Sequence, residues 1–310
     1  MTSAPALAPP AGRQGPGPLA ARLVEALDLS FARRAGGPLP GEHRAPGVGL
    51  GTELAALRAY QPGDDVRRLD AAATARTGEP HVRLDVPERL VTTWLVLDVS
   101  PSMAFGTADR LKADVAEGAV RVLAKLATRR GGRVALIVCG GERELVLPPR
   151  GGRGAGASVE RMLGAGVVPD GQGEPRSLER ALTRLARMAR LPGLVAVVSD
   201  FRGTDGLARP LRTLCARHSV AAVEVRDPRE AELPAVGRLL VTDPETGAQV
   251  DVDTRDRRLR ELYAERERAG REAVRAELRT AGADHVVLTT DAPWLRDLGG
   301  RLRALGGRRT

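Results

Sequence analysis

The residues with the clearest chemical potential are Asp98, Ser100 and Ser102, which stand at alternate positions directly after an apolar run. In extended backbone, side chains at every second position point the same way, so these three can converge on one point. A carboxylate and two hydroxyls are hard oxygen donors, which suit Mg²⁺ or Mn²⁺ and do not suit zinc or copper. The spacing therefore predicts a divalent-metal site at the end of a strand.

Two buried strands must position this site. Residues 93–98 (TWLVLD) form a short, almost continuous apolar run, which is typical of a strand covered on both faces of a parallel sheet. A later run, Leu194–Ser199, has the same character and is followed by Asp200. Ligands of open α/β sheets bind outside the carboxyl ends of the strands, so we expect Asp200 to reach the same edge as Asp98.

Strands and amphipathic helices alternate through the rest of the chain. Further strands are predicted at 133–138, 144–147, 220–225 and 285–289, helices at 109–128, 178–188, 207–216 and 256–279, and a hairpin at 239–252. Strands separated by helices of this length imply right-handed crossovers. The predicted fold class is therefore α/β, with a Rossmann-like, doubly wound, mostly parallel sheet and a small N-terminal subdomain.

The stretch from Asp98 to Ser102 (DVSPS), with a strand before it, a helix after it and Ser199-Asp200 on a later strand, resembles the metal-ion-dependent adhesion site of von Willebrand factor A domains. A purely structural turn is the alternative, since Asp and Ser populate turns and N-caps for local hydrogen-bonding reasons. The resemblance implies a non-enzymatic domain that docks a partner protein through its metal ion.

The chain departs from that family in the loop that usually supplies a threonine ligand just before a helix. Arg176 stands at the threonine position, and Ser177 can serve instead if the loop shifts by one residue. Without that shift, the guanidinium would oppose a divalent cation or replace it as the partner of Asp98. The expected metal ligands are accordingly Asp98, Ser100, Ser102, Asp200 and Ser177.

A second resemblance extends from about residue 40 to residue 300. The stretches 49–54 (GLGTEL) and 57–70 (LRAYQPGDDVRRLD) are similar to the hallmark of the domain-of-unknown-function 58 family, and 198–201 (VSDF), 225–230 (VRDPRE), 243–247 (DPETG) and 284–285 (DH) agree with it. Ala71 replaces the tryptophan usual after the hallmark. The resemblance implies a partner, because members are typically encoded beside MoxR-type AAA+ ATPases and are thought to act with them as metal-dependent adaptors in chaperone-like assembly of a client protein.

The hallmark is expected to have a structural role. Pro62-Gly63 predicts a tight turn, and the charged residues Asp64, Asp65, Arg67 and Arg68 are expected to pair and fix the segment against a sheet. A docking surface is the alternative.

A formal net charge of +9 raises a second function, nucleic-acid binding through an arginine-rich surface. Lysine occurs only at Lys112 and Lys125, and the arginines of 255–279 are interleaved with acids. That pattern favours a solvated helix face with ion pairs, so nucleic-acid binding is the alternative to the adaptor and is not preferred.

The predicted organisation is a disordered leader at 1–18, a helix (19–32), a loop (36–51) and the hallmark within 19–90, and the von Willebrand factor A-type domain at 91–300. No apolar run approaches the roughly 20 residues that cross a bilayer, and the N-terminus lacks the features of a signal peptide. A cytoplasmic protein without membrane insertion is expected, with Cys139 and Cys215 as core thiols.

Catalytic motifs give no support to an enzyme. The histidines have no ligand spacing, Ser102 lacks the frame of a hydrolase nucleophile, and the glycine-rich stretch 151–156 lacks the lysine of a phosphate loop. We therefore expect no catalytic residues, no ATPase activity, and a flexible loop at 151–156.

Overall fold

The computed structural model describes residues 53–86, 92–106, 110–129, 131–164, 166–203 and 206–307. They divide into a small unit within Glu42–Leu90 and a larger one that contains the described residues after Val91. The predicted leader (1–18), helix (19–32) and loop (36–51) lie outside the described residues.

The small unit is an antiparallel pair of strands, β1 (Glu53–Ala59) and β2 (His81–Val86), with the short helix α1 (Ala71–Thr77) between them. Gly63 adopts φ 106° in the turn that follows β1, a conformation that favours glycine. Asp70 caps α1 by accepting a 2.8 Å hydrogen bond from the N–H of Ala73.

The hallmark charges of this unit stabilise its local fold. Asp64 pairs with Arg58 of β1, with 2.6 Å between Oδ1 and Nη2, and Asp65 accepts a hydrogen bond from the N–H of Arg67. The partner of Asp64 is thus a β1 arginine, which corrects the expectation that it pairs with Arg67 or Arg68. The hallmark aspartates act as caps and turn acceptors.

A six-stranded sheet in the order β10-β7-β6-β3-β4-β5 forms the centre of the larger unit. The strands of this unit are β3 (Thr92–Asp98), β4 (Arg133–Cys139), β5 (Leu145–Arg150), β6 (Leu194–Ser199), β7 (Ser219–Arg226), β8 (Arg238–Thr242), β9 (Gln249–Asp253) and β10 (Asp284–Thr289). All neighbours in the six-stranded sheet pair in parallel except β5, an antiparallel edge strand. The predicted mostly parallel sheet is confirmed.

Helices cover both faces of this sheet. They are α2 (Lys112–Arg129), α3 (Gly154–Leu163), α4 (Ser177–Met188), α5 (Ala208–Cys215), α6 (Arg257–Ala281) and α7 (Trp294–Gly307). Leu95 and Leu97 point into a core shared with α2, α3 and α7, whereas Trp94 and Val96 point into a core shared with α4, α5 and α6. The alternation along β3 therefore makes the sheet doubly wound.

Three local expectations need correction. The stretch 151–156 is only partly a loop, because α3 begins at Gly154 and buries Ala155 and Val159. Strand β5 continues to Arg150 through two prolines, which an edge strand tolerates because its outer N–H groups need no partner. Helix α7 was not predicted, and it continues past residue 300, the expected end of the domain.

The antiparallel pair β8–β9 is the predicted hairpin. No helix among the described residues is long and apolar enough to cross a membrane.

Candidate metal centre

Asp98 is the last residue of β3, and its carboxylate is buried at the carboxyl edge of the sheet. Oδ1 accepts a 2.9 Å hydrogen bond from the N–H of Ser100, and Oδ2 accepts a 2.6 Å hydrogen bond from the hydroxyl of Ser199. Ser199 ends the neighbouring parallel strand β6. The two strands thus fix both oxygens of the carboxylate.

A chain of oxygen atoms leads from Asp98 to Asp200. The Ser100 hydroxyl interacts with the Asp98 carboxylate and lies 3.2 Å from the Ser102 hydroxyl, which in turn interacts with the Asp200 carboxylate. All four side chains are buried. Four of the five predicted ligands therefore converge at the ends of β3 and β6.

The Asp98 carboxylate carries a charge that its surroundings do not neutralise. Burial and the nearby charge of Asp200 raise its pKa to about 6, although hydrogen bonds from Ser199 and Ser100 act in the opposite direction. No ion pair joins Asp98 to a lysine, arginine or histidine among the described residues. A bound cation would remove this deficit.

Asp200, in contrast, has a cation of its own. The ammonium group of Lys112 is fully buried and lies 2.6 Å from Oδ2 of Asp200 and 2.5 Å from Oε1 of Glu230. Burial alone would raise the pKa of Asp200, but the attraction and hydrogen bond of Lys112 outweigh it, and the pKa is lowered. Asp200 Oδ1 also accepts from the N–H of Arg202, so both of its oxygens are engaged.

Sequence reasoning missed Lys112 as part of the site. A helical pattern did contain a signal, because Lys112 stands four and seven positions before Ala116 and Ala119 on the buried stripe of α2. A lysine on an apolar stripe needs a buried carboxylate, and here it has two.

Backbone strain marks the segment after β6. Phe201 is buried and adopts φ 54°, a left-handed conformation that a bulky residue rarely occupies. It separates Asp200, which faces Lys112, from Arg202, which pairs with Glu267 at 2.7 Å. Strain of this kind costs about 1–3 kcal/mol and clusters at functional sites.

The loop before α4, where the family resemblance places a threonine ligand, borders a cleft at the end of β3. Ser177, the first residue of α4, is buried and lines a cleft of about 230 Å³ together with Asp98 and Ser100. Arg176 also lines this cleft in a left-handed conformation (φ 60°), but its Nε lies 2.6 Å from Oε2 of Glu179. The ion pair of Arg176 is thus with its own helix, and no ion pair with Asp98 forms.

Glu245, in the turn between β8 and β9, is a site residue that sequence reasoning did not assign. Its Oε1 accepts a 3.0 Å hydrogen bond from the N–H of Ser102, which is 143 positions away in the chain. A Cβ atom on Gly173 would collide with the other oxygen of this carboxylate, so the loop before α4 leaves room for it. The hairpin therefore brings a carboxylate to the mouth of the cleft.

The donor chemistry fits a hard divalent cation. The described residues contain no group of three or more His, Cys, Asp or Glu side chains placed to hold a metal ion. An ion at this edge would therefore depend on hydroxyl oxygens, which is the ligand set that Asp98, Ser100 and Ser102 offer. Glu245 adds a second carboxylate, whereas Asp200 is already paired.

Comparison with known sequences finds a matching family and a relative. The family model described as "Protein of unknown function DUF58" matches residues 56–273. The uncharacterized protein Rv1480 of Mycobacterium tuberculosis is 38% identical over 282 residues, which cover 91% of this chain and 88% of the relative.

Two solved structures are similar at low identity. BatB from Bacteroides thetaiotaomicron is 15% identical with a TM-score of 0.45, and the match covers 69% of this chain and 98% of that one. A von Willebrand factor type A protein from Catenulispora acidiphila is 14% identical with a TM-score of 0.39, covering 73% and 43% of the two chains.

Proposed function

The chain belongs to the DUF58 family of proteins of unknown function, and from this premise we propose that it is a non-enzymatic interaction protein whose metal centre docks a partner. The observation that carries the proposal is Asp98, a buried carboxylate without a cation partner among the described residues, joined to the hydroxyls of Ser100 and Ser102. Mg²⁺ or Mn²⁺ would supply the missing positive charge.

The protein residues have distinct roles in this proposal. Asp98 would hold the ion, and Ser100, Ser102 and Ser177 would supply neutral oxygens. Asp200 accepts hydrogen bonds around the site, and Lys112 neutralises its charge. Because few carboxylates would reach the ion, it would keep net positive charge and attract an acidic side chain. The partner is therefore recognised through a carboxylate on its surface.

Glu245 supports this view of the ligand. Its carboxylate reaches the N–H of Ser102 from a separate hairpin, as an acidic group from another protein would. We propose that a partner's carboxylate takes a position beside Glu245 or displaces it. The mouth of the cleft thus already accommodates a carboxylate, the group that the metal ion would recognise.

The family resemblance leads us to propose a MoxR-type AAA+ ATPase as the partner, with an unidentified client protein. Adaptor binding to such an ATPase should require Mg²⁺ or Mn²⁺, be abolished by a chelator, and be lost in Asp98→Ala. Binding that persists in both conditions would contradict a metal-mediated contact.

The first test is isothermal titration of the protein with MgCl₂ and MnCl₂. Saturable binding is expected for the wild type, and none for Asp98→Ala. Asp291→Ala is the matched control, since Asp291 is an exposed aspartate that follows the parallel strand β10. Equal binding by all three proteins, or no binding by the wild type, would overturn the proposed metal centre.

Nucleic-acid binding remains the alternative, and its test is different. Many described arginines are paired with acids, such as Arg257 with Glu261 at 2.7 Å and Arg238 with Asp251 at 2.6 Å. Affinity for DNA or RNA that falls steeply with salt and is indifferent to chelator would favour this alternative.

A further inference from the structure

A second cleft, of about 330 Å³, lies at the carboxyl ends of β6 and β7 beneath helix α6. Its volume is that of a small-molecule site, and its place beyond strand ends is where open α/β sheets bind ligands. Val225, Ala273 and Val274 give it apolar lining. The proposed metal ligands Ser100, Ser102 and Ser177 do not line this cleft.

The carboxylates of this cleft are all engaged. Glu224 pairs with Arg226 and with His285, whose Nε2 lies 2.7 Å from Oε2 of Glu224. Glu267 pairs with Arg202, and Oε1 of Glu277 accepts a 2.8 Å hydrogen bond from the N–H of Ala208. Asp200 and Glu230, described above, share the ammonium of Lys112. Four of the five carboxylates of the cleft therefore have a cation partner among the described residues, and Glu277 has a backbone N–H donor.

Two arginines of the cleft lack such partners. Arg266 and Arg271 both line it from α6, and neither makes an ion pair with a described residue. The Nη2 atom of Arg271 is enclosed and has no hydrogen-bond partner within the described ranges. A buried donor without an acceptor is unfavourable, which an oxygen atom of a ligand would relieve.

Gly270 lines the same cleft and lies between Arg266 and Arg271 in the chain. It lies within the 25-residue helix α6, where glycine costs about 0.5–1 kcal/mol relative to alanine. A Cβ atom at this position would meet nothing within 4 Å. Packing therefore does not explain the glycine, which is exposed and lines the cleft.

We propose that this cleft binds a small organic anion, whose phosphate or carboxylate head pairs with the guanidinium groups of Arg271 and Arg266. Guanidinium groups recognise both heads through paired N–H donors. The apolar residues of the lining contact the body of the ligand. The proposed anion site uses none of the hydroxyls of the metal centre, although Asp200 borders both.

The test is isothermal titration with inorganic phosphate, citrate and adenosine 5′-monophosphate. A chloride salt keeps the ionic strength equal in all titrations. The wild type binds at least one probe, and the strongest probe distinguishes a phosphate head from a carboxylate head. Arg271→Leu weakens that binding about tenfold or more, because a charge-assisted bidentate contact is lost.

Two further variants make the outcome decisive. Arg275→Leu removes a guanidinium of the same helix that is exposed and paired with Glu272, so its anion affinity should equal that of the wild type. Gly270→Leu keeps both cleft arginines but fills the space, and it should abolish binding even if Arg271→Leu fails to fold. Absence of binding by the wild type, or equal losses in Arg271→Leu and Arg275→Leu, would overturn the proposal.

Discussion

The ends of β3 and β6 carry two buried aspartates with opposite electrostatic settings. Asp200 is held by the ammonium of Lys112, and its pKa is lowered despite burial. Asp98 receives only hydrogen bonds from Ser199 and Ser100, and burial raises its pKa to about 6. The two carboxylates belong to neighbouring strands and share the same chain of serine hydroxyls.

This difference identifies which of the two carboxylates has a neutralising cation. A cation built into the chain neutralises the β6 side, whereas the β3 side has hydroxyl and N–H donors but no ion-pair partner among the described residues. A second cation has an electrostatic reason to bind at Asp98 and much less reason to bind at Asp200. The proposed metal centre is therefore asymmetric, with Asp98 as its charged ligand.

The largest effect is expected when the buried cation Lys112 is removed. Lys112→Met leaves Asp200 and Glu230 buried without their shared partner, which should lower the free energy of unfolding by about 3–5 kcal/mol. Urea unfolding measures the change. Lys125→Met, at the only other lysine and on the same helix, is the control and should change stability by less than about 1 kcal/mol. Equal losses of stability in Lys112→Met and Lys125→Met would mean that the buried ion pairs of Lys112 do not contribute more to stability than an ordinary lysine of this helix.

The second change neutralises the aspartate that lacks a cation. A raised carboxyl pKa means that the folded state binds a proton more tightly than the unfolded state, so stability is lost as pH rises from about 4 to 6. In chelator at pH above 7, Asp98→Asn should be more stable than the wild type by about 2–3 kcal/mol. The difference should vanish at acidic pH, where Asp98 is protonated.

Unfolding curves of both proteins across this pH range check the prediction. A variant that is less stable than the wild type at neutral pH would show that the hydrogen bonds of Asp98 outweigh its desolvation.

A smaller effect is expected from a change at Glu245, in the turn of the β8–β9 hairpin. Glu245→Gln keeps the acceptor for the N–H of Ser102 and removes the negative charge near the proposed ion. Mg²⁺ affinity should fall by about three- to tenfold, the size expected of one partly exposed charge near the site. Titration with Mg²⁺ measures it, and Glu232→Gln, at an exposed residue, is the control. Unchanged affinity would place Glu245 outside the influence of the ion.

The smallest expected effect is at Arg176. Its side chain is 67% exposed and paired with Glu179, so solvent screens its charge from Asp98. Arg176→Asn suits the left-handed backbone, and Mg²⁺ affinity should rise by about twofold or less. An increase of a hundredfold, measured by the same titration, would mean that the guanidinium competes with the metal ion.

Most of the fold follows from local patterns. Apolar runs such as 93–98 and Leu194–Ser199 predict buried strands because both faces of a parallel sheet are covered, and helical spacing predicts α2 and α4 within a few residues. The glycines of 151–156 concealed the start of α3, where burial of Ala155 and Val159 overrides low helix propensity.

The placement of Asp98, Ser100 and Ser102 at the end of a strand is predictable from the sequence, because a short motif after an apolar strand needs only local geometry. Tertiary structure alone decided that Ser199 donates to Asp98, that Lys112 reaches Asp200 and Glu230, and that Glu245 reaches Ser102. These contacts join residues 88 to 143 positions apart in the chain. Their electrostatic consequences depend on distance and burial, which residue types and spacing do not specify.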